Sequence, residues 1–464
     1  LFFGAWDDVM GSQLWVSDGT EDGTRIPTVI DPGGGTFYIE GGAILFPWGD
    51  QVVFSANDGV HGFEPWHSDG SEAGTVLLKD VHPDLPGSYA GEVVPWNGGL
   101  LFSADDGEHG QELWTTDGTP ENTSLLVDIN PGPDFGEPAY LTRLGNEVFF
   151  AAITSGNGSE LFKTDGTAPG TVMVRDLVVG SGSSWPAHLV AAGTNLFFTA
   201  GVDLNDVELY RSDGTESGTF RVKDINPGPD GSGPSGLVAL GDRVFFSADD
   251  GKHGREPWVS DGTADGTIML ADLVTGPGGS MTVYDRAVAA MPGGPVVFPA
   301  YTIDQGYELW ATDGTPAGTR RITEIGPGIL GCNPDRLKVI GSRLYFAAAD
   351  SVAGLEPWAL DLTDVDADGV LDIMDDCANT VAGAEVDPFG CPLPIPGDFD
   401  RDGDVGTDDL AAFVDCAAGP AAPLEAGCEA ADLDGDADGD AADFARFQRC
   451  FSGDNLPATP GCAD

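Results

Sequence analysis

With 464 residues, 76 acidic side chains against 20 basic ones and a formal net charge of −56, the chain repels polyanions, which excludes nucleic acid and anionic membrane surfaces as partners. A hydrophobic content of 41% with 10 Trp and 24 Phe excludes disorder, so the acidity coats a folded body. Self-repulsion on this scale needs neutralising cations, and a divalent metal is the natural partner.

The chain opens on Leu1-Phe2-Phe3, which aligns with Val244-Phe245-Phe246 in the middle of a repeat, so further chain is expected upstream. A segment of the form Glu-Leu-Trp-x-x-Asp-Gly-Thr then recurs, with its aromatic residue at Trp15, Trp66, Trp114, Phe162, Tyr210, Trp258, Trp310 and, in a worn copy, Trp358. The spacings are 51, 48, 48, 48, 48, 52 and 48 residues. A period of this length belongs to stacked supersecondary units that cannot bury their apolar faces alone.

One clean unit runs Leu237–Leu240, Arg243–Ala248, Arg255–Ser260 and Thr267–Asp272, each a short apolar or alternating run bounded by turn residues. Four strands in such a period fit one blade of a β-propeller. Leu113 and Trp114 point to opposite faces of one strand, yet both are large and apolar, so the sheet is sandwiched between neighbours. Three strands at the start, six whole units and three strands at the end fall two short of an eight-bladed ring. The fold class expected is therefore mainly β, a propeller of about eight four-stranded blades with seven as the alternative. Pro65, Pro257 and Pro357 mark an edge or non-donating strand position.

Within the repeat, the Ser-Asp-Gly-Thr-x-x-Gly-Thr stretch (as at Ser260 to Thr267) reads as a hairpin turn whose Asp carboxylate and hydroxyls satisfy backbone N–H groups. Glu64, Glu112, Glu160, Glu208, Glu256, Glu308 and Glu356, with Gln13, share one position and are expected to accept hydrogen bonds between blades; a cation-binding ring is the alternative. His61, His109 and His253 stand in Asp-Gly-x-His-Gly turns of three copies only, which argues against a metal or catalytic role. These units resemble the ELWxxDGT repeat of bacterial secreted proteins over residues 1 to about 361, a resemblance that implies a propeller-like array and no particular activity.

The composition changes after Asp361. Asp364, Asp366, Asp368, Asp372 and Asp375 alternate around Gly369, an arrangement that delivers oxygens to one hard Ca²⁺. The run, with the Cys-Ala-Asn-Thr…Asp-Pro-Phe-Gly-Cys-Pro that follows, resembles a thrombospondin type 3 repeat, which implies a Cys377–Cys391 pair. Asp398, Asp400, Asp402, Gly403, Asp404 and Asp409 then fit an EF-hand-type loop, and a helix follows with Leu410 and Phe413 on one face. The unit returns 34 residues later, Asp398 mapping to Asp432 and Asp409 to Asp443, with Asp434, Asp436 and Asp438 between.

This duplicated loop and helix resembles a type I dockerin domain. The equal spacing suggests disulfides Cys416–Cys428 and Cys450–Cys462, although four cysteines permit three pairings. Two departures matter. Ala437 stands where the loop needs a turn glycine, which weakens the second site, and a register with Gly439 at the turn loses the last ligand. The hydroxyl pairs that precede the last ligand in cellulosomal dockerins are here Thr407-Asp408 and Ala441-Ala442, a departure that counts against a cohesin-like partner.

The expected organisation is thus a propeller over 1–361, a calcium repeat and linker over 362–396, and a dockerin-like module over 397–464. Six cysteines clustered among calcium-type loops imply an oxidising compartment, so the protein is expected outside the cell or on its surface. No apolar run approaches the roughly 18 residues of a membrane helix. No Ser/His/Asp order, HExxH or paired acid stands out, and the leading expectation is a non-catalytic calcium-binding protein whose propeller presents a surface to a protein or polysaccharide ligand. A secreted carbohydrate-active enzyme carried by its dockerin-like tail, and a surface-layer or fibre component, are the alternatives.

Overall fold

The computed structural model describes residues 1–30, 45–83, 87–203, 205–282, 287–291, 294–326, 328, 331–350, 354–368, 370–377, 380–387, 390–393, 395–417, 419, 422, 424, 428–459 and 462. The chain divides into two compact units, Leu1–Gly251 with Ser260–Thr267, and Lys252–Val259 with Ile268–Asp464. Both are built mainly of short antiparallel strands, as the repeat period requires. No helix among the described residues is long and apolar enough to cross a membrane.

The first unit opens with β1 (Phe2–Asp7) and β2 (Gly11–Val16). The third strand expected here is reduced to a single bridge between Val16 and Arg25. Four complete four-stranded sheets follow, each in sequential order. They are β3–β6 (Leu45–Trp48, Gln51–Asn57, Phe63–Ser68, Val76–Leu77), β7–β10 (Gly91–Trp96, Gly99–Asp105, Gln111–Thr116, Ser124–Val127), β11–β14 (Ala139–Leu144, Glu147–Thr154, Gly158–Thr164, Val172–Arg175) and β15–β18 (Ala187–Ala192, Asn195–Gly201, Val207–Ser212, Phe220–Arg221). The hairpin β19 (Ser235–Leu240) and β20 (Arg243–Asp249) ends the unit.

These sheets are sandwiched, as the doubly apolar strands demand. Phe150 of β12 faces back onto Val94, Trp96, Leu101 and Leu113 of the preceding sheet, while Phe149 beside it faces forward onto Leu189, Leu196 and Phe198 of the next. Both rings are buried, and each contributes roughly 1.5–3 kcal/mol by leaving water. Adjacent residues of one strand thus serve two separate cores, and the first strands β7, β11, β15 and β19 lie side by side. Four-stranded sheets stacked face to face in chain order are propeller blades.

The second unit holds the hairpin β21 (Arg255–Ser260) and β22 (Ile268–Met269), the sheet β23–β26 (Ala289–Ala290, Val296–Thr302, Gly306–Thr312, Arg320–Arg321) and the three-stranded β27–β29 (Asp335–Ile340, Arg343–Asp350, Gly354–Asp361). The acidic segment after Asp361 docks here: Met374, 3% exposed, joins Leu309, Leu337, Leu344 and Phe346 in one core, with Leu362, Leu371 and Ile373 packed around it. Helices α1 (Thr407–Cys416) and α2 (Ala441–Cys450) then pack Phe413 against Phe447, ring centroids 5.2 Å apart, over Ile395 and Val405. Cys377–Cys391, Cys416–Cys428 and Cys450–Cys462 are bonded, and Cys332 is a buried free thiol.

The proline position is an edge at Pro357, on the outer strand β29 of its three-stranded sheet, and an interior, non-donating one at Pro65 and Pro257. Pro65 lies on β5, which pairs with strands on both sides. Its equivalent Leu309 sends its N–H to the Thr323 hydroxyl at 3.0 Å instead of to a strand carbonyl. That site carries no ladder bond for a proline to lose.

Candidate metal centres and a first-strand constellation

The shared glutamates are interior fasteners. Glu64 accepts the backbone N–H groups of Val81, His82 and Ser88, and Glu112 those of Ile129 and Asn130, at 2.8–3.2 Å. Glu160 and Glu256 accept from the same places 17 and 18 residues on, and Gln13 takes the N–H of Ile30. Each glutamate therefore ties the third strand of its sheet to the segment that leads into the next, and Gln13 does the same from β2. All of Glu64, Glu112, Glu160, Glu208, Glu256 and Glu308 are fully buried. Glu356, on the last sheet, is exposed, because the chain after it turns into the acidic loop instead of a further blade.

The turns behave as their residues dictate. Asp261 accepts from the N–H and hydroxyl of Thr263, the Ser260 hydroxyl accepts the Gly262 N–H, and Ser260 pairs with Thr267. A Cβ on Gly266 would lie 2.2 Å from the Asp261 carboxylate, so a side chain there must move or bind that group, as Asn122 does by donating to Asp117 at 2.7 Å in the third copy. His61 and His109 close their own turns on Asp58 and Asp106 at 2.7 and 2.8 Å, which raises both imidazole pKa values through the hydrogen bond to the carboxylate. Asp206, Glu208 and Asp224 also converge, but Arg221 lies 3.7 Å from Asp206 and 3.4 Å from Asp224 and offsets their charge.

Three acidic loops remain. In the first, Asp364, Asp366 and Asp368 each bring an oxygen within 4.8 Å of the others. Asp366 takes the Thr380 N–H, Asp368 that of Val370 and Asp375 that of Cys377 with one oxygen each. The second oxygens, Asp366 Oδ1, Asp368 Oδ2 and Asp375 Oδ2, are buried without a hydrogen-bond partner. Buried carboxylate oxygens with no donor are costly, and a hard cation is the partner that suits them. Asp372 stands apart, both oxygens being taken by the Thr363 hydroxyl and the Val365 N–H. Gly369, the expected turn, lies outside the described residues, as do Asn379 and Phe389 of the motif that follows.

The second loop brings together Asp398, Asp400 and Asp409. Asp409, 2% exposed, spans the loop by accepting the Phe399 N–H at 2.6 Å and the Gly406 N–H at 2.8 Å. Burial, with Asp409 and Asp402 adding like charge, pushes Asp398 up to about 6. Asp402 accepts the Asp404 N–H within the loop, and the Asp404 carboxylate accepts the Asn455 N–H beyond α2. In the third loop Asp432, Asp434 and Asp443 converge, as do Asp436, Asp438 and Asp443. Asp443 accepts from Leu433, Asp434 and Asp440, so the loop ends at Asp443 and not at Ala445.

That register forces Ala437 into the left-handed region at φ 73°, where the second loop has Gly403 at φ 93°. An alanine there costs roughly 1–2 kcal/mol, part of which glycine returns through its freer unfolded chain. Ala437→Gly is expected to raise the stability of the tail by about 0.5–1 kcal/mol, measured as the thermal midpoint of the calcium-free protein.

A further constellation escapes the sequence pattern. Where β7, β11 and β15 begin, each strand carries a bulge and two left-handed residues three apart: Tyr89 and Glu92 (φ 46° and 47°), Glu137 and Tyr140 (46° and 59°), Trp185 and His188 (51° and 53°). The equivalent places are Gly233 and Gly236 on β19, and Asn333 and Arg336 (φ 48° and 56°) on β27. The fold therefore accepts glycine there, and each larger residue adds roughly 1–2 kcal/mol of strain. The three sheets are linked at these points. Glu92 accepts the Tyr140 N–H at 2.8 Å, and the Tyr140 and His188 rings stand 6.0 Å apart. Tyr89, Tyr140 and Trp185 are 54%, 42% and 49% exposed. The signal in the sequence is the presence of Glu, Tyr, His or Arg in place of glycine at one repeat position, which reads as turn drift until the backbone angles are known.

No protein-family model and no curated protein sequence matches the chain. Among solved structures it is similar to a puromycin hydrolase (14% identity, TM-score 0.40, covering 75% of this chain and 56% of that one) and to a prolyl endopeptidase (13%, 0.43, 70% and 50%). It is also similar to the β-propeller domain of the Trilobed protease from Pyrococcus furiosus (10%, 0.36, 69% and 96%). The chain thus spans about half the length of the first two, and at these scores the likenesses carry no argument about activity.

Proposed function

We propose that this chain is an extracellular calcium-dependent binding protein without a catalytic centre of its own. Its stacked sheets present a surface to a ligand, and its calcium-loaded tail serves attachment or assembly. The observation that carries the calcium half is the set of buried, donorless oxygens on Asp366, Asp368 and Asp375, repeated in kind by the convergent carboxylates of the two later loops. Those groups are held by backbone N–H bonds in positions where each raises its neighbours' proton affinity: Asp368 and Asp375 are both pushed up, by burial first and adjacent aspartates after it. A divalent cation supplies the charge that this geometry needs. Three disulfides in the same segment support an oxidising compartment.

Calorimetric titration of Ca²⁺ into the chelator-stripped full chain tests the reading. Uptake by the first two loops at about 10⁻⁵ M or tighter is expected, with a weaker third event. The absence of binding heat together with an unchanged melting curve would remove calcium from the account.

A further inference from the structure

We propose that Tyr89, Glu92, Glu137, Tyr140, Trp185 and His188 form a binding site for the ammonium and guanidinium groups of a cationic peptide. The repeat supplies its own control. At the same two places the next hairpin has Gly233 and Gly236 at φ 53° and 64°, so folding alone asks for no side chain there. Three successive sheets nonetheless hold large polar or aromatic residues in a conformation that disfavours them, and strain of this kind collects at functional sites.

What they present has one chemical sense. Three rings are about half exposed, and the carboxylates of Glu92 and Glu137 stand exposed among the same six positions, none of which is lysine or arginine. Glu92 is fixed by the Tyr140 N–H, so its charge is placed rather than mobile. Aromatic faces beside carboxylates attract cations, and the field of a chain of net charge −56 adds long-range steering of the same sign. The first strands that carry the six residues lie side by side, which offers a row of subsites to an extended peptide.

Fluorescein-labelled octalysine and the neutral hexasaccharide cellohexaose are the probes, each titrated into the full chain with calcium at about 0.15 M salt, where surface charge is screened beyond roughly 8 Å. Tyr140→Gly and Trp185→Gly copy the glycines of β19, remove no charge and relieve strain, so their melting midpoints should not fall. Each is expected to weaken octalysine binding about tenfold, in keeping with loss of a cation–π contact. Phe220→Ala, which removes an exposed ring from the far strand β18, should leave it unchanged. Octalysine bound equally by wild type and both glycine variants would show only the general field and overturn the site. Cellohexaose binding lost in those variants, with octalysine unaffected, would replace the peptide by a polysaccharide. The inference rests on the sheets being a ligand-presenting surface. Failure of the wild type to bind either probe counts against that reading, whereas unchanged octalysine binding in the variants sinks this site alone.

Discussion

Glu112→Ala should destabilise the first unit by about 3–5 kcal/mol, because it strands two buried backbone N–H groups at roughly 1–3 kcal/mol each and leaves a cavity besides. Those groups, on Ile129 and Asn130, sit 2.8 and 3.2 Å from the carboxylate in a site with no solvent exposure. Glu112→Gln retains one acceptor oxygen and turns its amide toward the other donor, so about half that loss is expected.

The pH dependence separates the two contributions of this residue. Burial raises Glu112 to about 7, with the neighbouring Asp128 adding to it. A carboxyl group whose folded pKa is raised lends stability below its ordinary value of 4.5, and that stability is lost as pH rises through about 7. Glu64, Glu160, Glu208 and Glu256 shift the same way. The turn aspartates act in the opposite sense. Asp69, Asp165 and Asp213 are lowered by their hydroxyl and backbone donors, so their contribution stands above 3.8 and fades as pH falls through their lowered values. Wild-type stability should therefore peak near pH 5 and decline toward pH 8. Urea midpoints at pH 5, 6, 7 and 8 should show a shallower decline for Glu112→Gln, which no longer titrates at that site; parallel curves would refute the assignment.

How much of this was legible depends on whether a residue's role is periodic. The aromatic at every forty-eighth position or so announces stacked sheets, and Leu113 beside Trp114 announces that both faces are covered; the structure buries both. Gly266 and Asp261 define their turn from local chemistry alone. The partners of the glutamates were only partly legible, since the donors lie 17, 18 and 24 residues on and become neighbours through the strand that intervenes. Tyr140 and His188 were opaque for a different reason. Nothing about tyrosine or histidine marks a left-handed backbone, and only comparison with Gly236 in space shows that they resist their own conformation. The docking of Met374 was likewise hidden, because a lone methionine among aspartates has no period that points to a core.

Stripping calcium should loosen strands well before the acidic loops in the chain. The first loop is pinned to the second unit by Met374, by the Leu362 N–H on Ser342 and by Arg320 against Asp376 at 2.9 Å. From Leu362 onward 25 acidic residues face three arginines, so without a cation the loop carries repulsion into that contact. At calcium concentrations 100 times the dissociation constant a filled site adds about 2.7 kcal/mol to the folded form, so the first two loops together add about 5 kcal/mol and the weaker third less than its share. Chelation is therefore expected to raise hydrogen exchange in β24, β25 and β28 along with the two helices, while β4, β8 and β12 keep their protection. Asp366→Asn should reproduce the loosening of β24, β25 and β28 in full calcium. Asp409→Asn, which empties the second loop and breaks its span from Phe399 to Gly406, should loosen the helices and spare those strands. Identical exchange patterns for the two variants would mean that the first loop is only a tether, and that Met374 holds its place without the ion.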